Sequence, residues 1–130
     1  MKSPRTVTAP CVTSDYFPTV VDALGLDKPD ADSRPHDGES LLPLIDGRTK
    51  TRLEPIAFQS RRQQTLVDNR YKLYSSNAGK TYELYDLTTD PGEKTDLARK
   101  RPEVVAQMRK TLGEWLESCE GSAKGGDYGG

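Results

Sequence analysis

The segment 70–98 constrains the fold of this chain more than any other stretch of its sequence. Two short runs rich in Tyr and Leu, 71–75 and 82–87, flank a polar loop that contains Gly79. Aromatic and branched side chains suit a half-buried pleated surface, and a loop of this length closes a β-hairpin. The segment therefore predicts two antiparallel strands. A Pro-Gly pair at 91–92 then ends the sheet, because Pro has no ladder donor and Gly permits a positive φ.

The residues before this segment extend the sheet upstream. Ile56 and Phe58 fall on one face of the run 55–60, which is the period-two pattern of a strand. Another strand is predicted at 64–67, and the Asp-Asn pair that follows it supplies a tight turn. With the two strands above, these make a four-stranded antiparallel meander. Such a sheet needs one covered face to be stable.

A C-terminal helix is predicted to cover that face. Pro102 suits the first turn of a helix. Apolar residues then recur at three- and four-residue steps, at Val105, Met108, Leu112, Trp115 or Leu116, and Cys119. One apolar helix face on one apolar sheet face gives a small two-layer α+β core. The Gly-rich residues 120–130 hold too little apolar surface to bury, and we expect them to be disordered.

The first third of the chain has a different pattern. An apolar stripe with helical spacing predicts a helix over about 16–24, and the carboxylate of Asp15 is expected to cap its N-terminus. The long loop that follows is rich in Asp and Pro. It leads to an apolar plug at 41–45 for which the chain offers no obvious partner. We therefore separate a segment 1–53, built to pack on something outside this chain, from an α+β subdomain at 54–119.

The overall charge excludes some classes of partner. The 130 residues include 19 Lys and Arg against 20 Asp and Glu, for a net charge of −1. No global field therefore favours nucleic acid or an anionic membrane surface. No apolar stretch approaches the roughly 20 residues that span a bilayer. Cys11 and Cys119 are too few to imply a disulfide framework, so the compartment stays open.

No catalytic constellation stands out in the sequence. Cys11 is a conceivable nucleophile with the single histidine, His36, but no neighbour is placed to lower its thiol pKa. A structural Cys is the favoured interpretation. Asp30 and Asp32, before His36, are metal-ligand types that fail the EF-hand spacing, and a solvated acidic loop is favoured. We expect no catalytic residue and no metal ligand in this chain.

The Arg61-Arg62 pair is the best candidate for contact with an anion. It lies at the predicted turn between the first two strands. Guanidinium groups bind sulfate, phosphate or carboxylate in a forked geometry. A solvated turn, or an ion pair with a neighbouring domain, is the alternative. Four tyrosines alternate on the last two strands, but without a basic field we favour sheet packing over base stacking.

Several of these motifs, in this order, resemble the C-terminal portion of the type I sulfatases of the alkaline-phosphatase-like superfamily. The matching strands and turns are Tyr71-Lys72-Leu73, Glu83 to Leu87, Asp90-Pro91, Glu93 and Asp96-Leu97-Ala98. The family usually has Asn where this chain has Asp96. Matching upstream motifs are Asp15-x-x-Pro18-Thr19 with Leu24-Gly25, and Asp37-Gly38-x-Ser40-Leu41-x-Pro43-Leu44 with Gly47.

The resemblance implies that the chain is the C-terminal portion of a sulfuric ester hydrolase, here called the parent enzyme. Its partner would be the missing N-terminal catalytic domain, which in this family carries calcium and a formylglycine made within a Cys/Ser-x-Pro/Ala-x-Arg signature. Cys11 is followed by Val-Thr-Ser-Asp, so no catalytic residue is transferred to this chain. The implied role is to complete the parent fold, with His36, Arg61 and Arg62 at the rim of the substrate pocket. A periplasmic, secreted or lysosomal parent is compatible with the resemblance.

Two other interpretations stay open. One is a stand-alone binding or interaction module, which saturable binding of a sulfated sugar or a protein partner would favour. The other is the C-terminus of a related phosphodiester or phosphonate ester hydrolase. Without its catalytic domain, the chain would expose the apolar residues of 16–24 and 41–45. We therefore expect the isolated chain to self-associate, or to leave the residues before about 55 poorly ordered. A monodisperse monomer with an ordered N-terminal third would count against this.

Overall fold

The computed structural model describes residues 6–26 and 37–125. The chain divides into two compact units, Met1–Glu54 and Pro55–Gly130, called the first and second unit below. After a 3-10 turn at Thr13–Asp15, the elements are α1 (Tyr16–Ala23), α2 (Leu42–Asp46), β1 (Ile56–Ser60), β2 (Gln63–Val67), β3 (Tyr71–Ser75), β4 (Glu83–Asp86) and α3 (Pro102–Ala123). The predicted α+β class is confirmed. Among the described helices, none has both the length and the apolar character that crossing a membrane requires.

The second unit contains the predicted four-stranded antiparallel sheet, with strand order β1-β2-β3-β4. Each strand begins and ends within one residue of its predicted bounds. The register places Leu66 opposite Leu73, and Leu73 opposite Leu84. Side chains that lie opposite one another in a ladder share a face, so these three leucines form one apolar row across the sheet.

Helix α3 covers this apolar row. The core joins the three leucines of the sheet to Met108 and Leu112 of the helix, and all five side chains are buried. Trp115 and Leu116 pack at its border. Burial at the predicted three- and four-residue steps explains why this segment is helical, since an amphipathic helix gains most of its stability from the face that it packs.

The expected disorder of 120–130 is wrong for its first residues, because α3 continues to Ala123. Adding a residue to an existing helix gains one hydrogen bond for each residue ordered, so a helix can extend past its last packed side chain. The helix ends where Gly125, at a φ of 86°, takes the left-handed conformation. Residues 126–130 lie outside the described part of the chain.

The turn after β4 differs from its prediction in one residue. The left-handed position is Glu93, with a φ of 53°, and not Gly92. The carboxylate of Asp90 accepts the N–H groups of the two residues after Glu93, both at 2.8 Å. The Glu93 side chain bonds the ammonium of Lys72 at 2.6 Å. These contacts hold a non-glycine residue in a conformation that it seldom adopts.

Asp96 protects the outer edge of β4. Its Oδ1 accepts the N–H of Leu84 at 3.0 Å and the N–H of Ala98 at 2.8 Å. The N–H of Leu97 donates to the carbonyl of Leu84 at 2.7 Å. A single side-chain oxygen accepts both of these bonds, and an asparagine carbonyl has the same capacity. The departure from Asn at this position therefore leaves the local structure intact.

Two helices form the described core of the first unit, and much of their apolar surface is exposed. Helix α1 confirms the predicted helix, but of its apolar stripe only Val21 is buried. Phe17, Val20 and Leu24 are 50%, 55% and 66% exposed. The apolar segment predicted at 41–45 is the short helix α2, which buries Leu44.

Candidate functional site

The Arg61-Arg62 pair occupies the two-residue turn between β1 and β2, as predicted. Both side chains are exposed. The φ of Arg61 is 55°, in the left-handed region that non-glycine residues enter at a cost. The N–H of Ala78 donates to the carbonyl of Arg62 at 2.7 Å, so the β3–β4 loop lies beside this turn. Lys80, in that loop, is also exposed. The two adjacent turns thus present three cationic side chains to solvent.

Side-chain hydrogen bonds shape the β3–β4 loop. The hydroxyl of Ser75 accepts the N–H of Gly79 at 2.9 Å and donates to Oδ1 of Asn77 at 3.0 Å. The amide of Asn77 donates to the hydroxyl of Thr81 at 2.8 Å. Gly79 has a φ of 78°, and a Cβ there would lie 2.8 Å from the Tyr82 hydroxyl. This loop therefore needs its glycine for conformation, and an added Cβ would also displace the end of the Tyr82 side chain.

The structure describes two of the three predicted rim residues. Neither Arg61 nor Arg62 makes a side-chain hydrogen bond or ion pair within 6–26 and 37–125, so both can receive an anion. His36 lies outside the described residues, as do Asp30 and Asp32. That His36 lies near Arg61 and Arg62 stays a prediction.

The strand tyrosines serve the sheet. Tyr71 and Tyr82 pack against the leucine core. The hydroxyl of Tyr85 donates to the carboxylate of Glu83 at 2.7 Å. This bond, together with burial, raises the pKa of Tyr85 to about 12. These contacts fit the sheet-packing interpretation of the tyrosines.

A buried ion pair in the first unit is a second organised polar cluster. The side chains of Arg52 and Asp15 are 1% and 0% exposed. Nη1 of Arg52 donates to Oδ2 of Asp15 at 2.6 Å, and Nη2 donates to Oδ1 at 3.1 Å, which is a bidentate fork. The carboxylate also accepts the N–H of Val12 at 2.9 Å and that of Glu39 at 3.0 Å. Each carboxylate oxygen thus has two donors.

This geometry corrects the prediction for Asp15 and reveals a residue that the sequence did not indicate. Asp15 makes no capping bond to α1, because its carboxylate is bonded to Arg52 instead. Arg52 also donates from Nε to the carbonyl of Glu54 at 3.1 Å. It lies 37 residues after Asp15, and no local pattern links the two.

The motif residues around this ion pair join α1 to the loop before α2. The hydroxyl of Thr19 donates to the carbonyl of Asp15 at 2.6 Å and accepts the N–H of Leu41 at 2.9 Å. A Cβ on Gly38 would lie 2.1 Å from the carbonyl oxygen of Ser14. Only glycine therefore permits this close approach. The role of these residues is structural.

We expect acid to lower the stability of the first unit by protonating Asp15. Burial by itself would raise the pKa of this carboxyl, but the Arg52 guanidinium and two backbone donors outweigh burial and hold the pKa below its ordinary value of 3.8. The unfolded chain then binds a proton more readily than the folded chain. The stabilisation from Asp15 is therefore complete above the ordinary pKa and is lost as pH falls through the lower folded pKa.

We expect the hydrogen-exchange protection of the α1 amides, corrected for intrinsic rates, to fall as the pH drops below 3.8. An Asp15→Asn variant should lack this dependence. The readout must be confined to the first unit, because Asp86 of the second unit also has a lowered pKa, through Arg70 and Thr88. An acid response of the α1 amides that is unchanged in Asp15→Asn would contradict the assignment.

Within 6–26 and 37–125, no set of side chains fits calcium or formylglycine. In the described ranges, no group of three or more His, Cys, Asp or Glu side chains could hold a metal ion. Cys11 is exposed, and its following residues depart from the formylglycine signature. Cys119 is half-buried on α3.

Comparison with known proteins gives no match by sequence and clear matches by structure. No protein-family model matches the chain, and no curated protein does. Among solved structures it is similar to a 2-O GAG sulfatase, at 24% identity and a TM-score of 0.63, over 85% of this chain and 26% of that one. It is also similar to a protein of Bacteroides thetaiotaomicron assigned as a sulfatase, at 26% identity and a TM-score of 0.61, over 85% and 25% of the two chains. The chain has the fold of the C-terminal portion of a type I sulfatase.

The sulfatase-related fold covers only part of the proteins that share it. This chain spans about a quarter of the length of the solved structures that it matches. The fold also occurs in the phosphonate monoester hydrolase of Agrobacterium radiobacter, at 24% identity and a TM-score of 0.51, over 80% of this chain and 24% of that one. The likeness therefore establishes the fold alone.

Proposed function

We propose that this chain is the non-catalytic C-terminal subdomain of a sulfuric ester hydrolase, and that it completes the fold of the parent enzyme and is inactive by itself. The observation that carries the proposal is that most of this chain matches only a small part of each structural relative. They match 77–85% of this chain but only about a quarter of their own length. The described residues also lack a fit to the nucleophile and metal of the family.

The exposed apolar stripe of α1 supports this proposal. Phe17, Val20 and Leu24 lie on one side of the helix, at steps of three and four residues, and each is at least half exposed. Contiguous apolar surface of this kind marks an interaction site in soluble proteins. We assign this stripe to contact with the catalytic domain of the parent enzyme. Calcium and formylglycine would belong to that domain.

The first test of the proposal is to sequence the gene upstream of the codon for Met1. A continuous reading frame upstream of Met1 that encodes Cys/Ser-x-Pro/Ala-x-Arg, with Asp and Asn metal ligands, would support a sulfatase parent. A stop codon directly upstream, with a ribosome-binding site before Met1, would make the stand-alone binding module the better interpretation. Purified chain should hydrolyse neither aryl sulfates nor phosphonate monoesters. Turnover by the chain alone would overturn the proposal.

Within this proposal, Arg61 and Arg62 are the described residues that would contact an anionic substrate at the rim, with His36 as the third. Arg61→Glu in the parent enzyme should lower kcat/KM for anionic substrates by about tenfold, the scale of one lost hydrogen bond to a charged group. The matched control is Arg99→Glu, which reverses another exposed cation of the second unit. Equal kinetics for both variants would remove the rim assignment and leave the subdomain assignment untouched.

The phosphonate monoester hydrolase relative makes a second ester class a specific alternative. The fold of the C-terminal portion does not discriminate between them, because the reacting groups lie elsewhere in the parent. Assay of the parent enzyme with matched aryl sulfate and aryl phosphonate substrates separates the two. A higher kcat/KM for the phosphonate would replace the sulfuric ester assignment.

A further inference from the structure

The ends of two hairpins meet at one end of the sheet in the second unit and carry several cations. In the β3–β4 loop, Ala78 donates its N–H to the carbonyl of Arg62 in the β1–β2 turn. On α3, Arg109 lies over the ring of Tyr82, the last residue of the same loop, at 5.1 Å from the ring centroid. These contacts bring together four exposed side chains, here called the hairpin-end cations: Arg61, Arg62, Lys80 and Arg109.

No acidic side chain within 6–26 and 37–125 makes an ion pair with the hairpin-end cations. Between residues 55 and 82 the single acidic residue is Asp68, in the β2–β3 turn at the opposite end of the sheet. Glu83 follows the loop, but its neighbour Leu84 is buried in the core with α3. Glu83 therefore points to the other face of the sheet, where its carboxylate accepts the hydroxyl of Tyr85. The positive charge at the hairpin ends is thus left for a ligand.

The backbone of Arg61 points to binding as well. Its φ of 55° lies in the left-handed region, and the adjacent loop holds a second such residue, Ala78, at a φ of 59°. Glycine enters this region without steric cost and is the usual residue in two-residue hairpin turns of this kind. The chain therefore carries a charged side chain here at a cost in stability. Residues held in such conformations cluster at functional sites.

We propose that the hairpin-end cations bind an acidic polysaccharide, a hydroxyl-rich chain with sulfate or carboxylate groups on its sugars. Guanidinium forks bind both kinds of anionic group. Exposed amide and hydroxyl groups beside the cations, on Gln63, Ser76 and Thr81, can bond the hydroxyls of the sugars. The inference deepens the proposed function, and the identification of this ligand with the substrate of the parent enzyme rests on it.

Two observations favour a polysaccharide over another macromolecule. Single-stranded nucleic acids stack their bases on aromatic faces, but the ring of Tyr82 lies under Arg109 and packs against the leucine core. The centre of a protein interface is apolar, whereas 61–62 and 76–81 contain no large apolar side chain. The site therefore offers charge and hydrogen-bonding groups without a platform for bases or an apolar anchor.

Binding is tested by isothermal titration calorimetry on the full 130-residue chain at low salt. The probes are a short heparin oligosaccharide, which carries sulfate, and a polygalacturonate oligosaccharide, which carries only carboxylate. We expect saturable binding of at least one of them, and this binding should weaken as NaCl is added. Binding of both supports a site for either anionic group, and binding of one alone identifies the group. Binding of neither, or equal binding of neutral dextran, would overturn the proposal.

Neutralising single cations tests where the ligand binds. Arg61→Gln and Arg109→Gln lie on different elements, and each should weaken binding about threefold to fivefold, the upper scale of an exposed ion pair. The double variant should lose about tenfold or more, because the two sites are independent. Arg99→Gln is the matched control, an exposed cation outside the two hairpin ends, and should change the affinity by less than about twofold. Equal losses in all three single variants, each folded by circular dichroism, would overturn the proposal.

An Arg61→Gly variant separates binding from stability. Glycine relieves the strain of the left-handed conformation, so the midpoint of thermal unfolding should rise. Binding of the acidic oligosaccharide should weaken as much as in Arg61→Gln, because the guanidinium is lost in both. A variant that unfolds at a higher temperature and binds as tightly as the original chain would overturn the role of Arg61.

Two further results separate this proposal from its alternatives. An oligodeoxythymidylate of matched charge should bind more weakly than the acidic oligosaccharide, and tighter binding of it would overturn the choice of a polysaccharide. Loss of binding would leave the proposed function standing, since the upstream reading frame and turnover decide that function. A stop codon upstream, with binding intact, would remove the proposed function and support this site.

Discussion

Replacing Asp15 by Asn is expected to destabilise the first unit by about 2–3 kcal/mol, because it removes the bidentate carboxylate from the buried guanidinium of Arg52 and leaves the carboxylate of Glu39, 3.7 Å from Nε, as a weaker counter-charge. Arg52 is 1% exposed, so water cannot replace the lost partner. Two backbone donors, the N–H groups of Val12 and Glu39, also lose a charged acceptor. The measurement is native-state hydrogen exchange of the α1 amides, which lie in the unit held by this pair.

The control for this variant is Asp46→Asn. Asp46 pairs with Arg48 at 3.4 Å, and both side chains are more than half exposed. Its loss should cost no more than about 1 kcal/mol. Replacing both buried partners, as Asp15→Leu with Arg52→Met, should cost less than Asp15→Asn alone, because no buried guanidinium is then left without its bidentate carboxylate. If Asp15→Asn matches the exposed control, the ion pair does not determine the fold of this unit.

The second unit could be predicted from sequence because its signals are local. Each signal spans only a few residues. The signals are the alternation along each strand, the glycine in the β3–β4 loop, and the three- and four-residue spacing in α3. The match of Leu73 with Leu84 follows from a short hairpin, which leaves little choice of register. The position of Arg61 and Arg62 in a turn is predictable for the same reason, because the strands on both sides have clear local patterns.

The features that sequence reasoning missed depend on contacts between distant residues. Asp15 looked like a helix cap because the position suits one, but a partner 37 residues away uses its carboxylate. Glu93 takes the left-handed conformation expected of Gly92 because Asp90 and Lys72 hold it there. Such contacts win over local propensity when they satisfy charged or buried groups.

The motifs that carry the sulfatase resemblance are, where the structure describes them, determinants of fold. Asp15 is bonded to Arg52, Thr19 bridges α1 to the following loop, and Gly38 permits a close backbone approach. Asp96 protects an edge of the sheet. The resemblance is therefore evidence for architecture, because the motif residues that the structure describes bond to and pack against one another.

Leu73→Ala should destabilise the second unit by about 3–4 kcal/mol, since it removes three buried carbons from the centre of the core and leaves a cavity. Leu73 is 0% exposed, pairs with Leu66 and Leu84, and shares the core with Leu112 of α3. The only tryptophan of the chain packs against this core, so urea unfolding followed by its fluorescence reports on the second unit.

The same truncation outside the leucine core isolates the effect of burial in this core. Leu87→Ala removes the same atoms from a half-buried side chain of the second unit that does not belong to the core cluster, and it should change the stability by no more than about 1 kcal/mol. A loss below about 1 kcal/mol for Leu73→Ala would mean that α3 can collapse onto the shortened side chain. The helix and sheet would then be held by the border contacts of Trp115 and Leu116 more than by the leucine row. The difference between the two variants thus measures how far one apolar row across three strands fixes the position of α3.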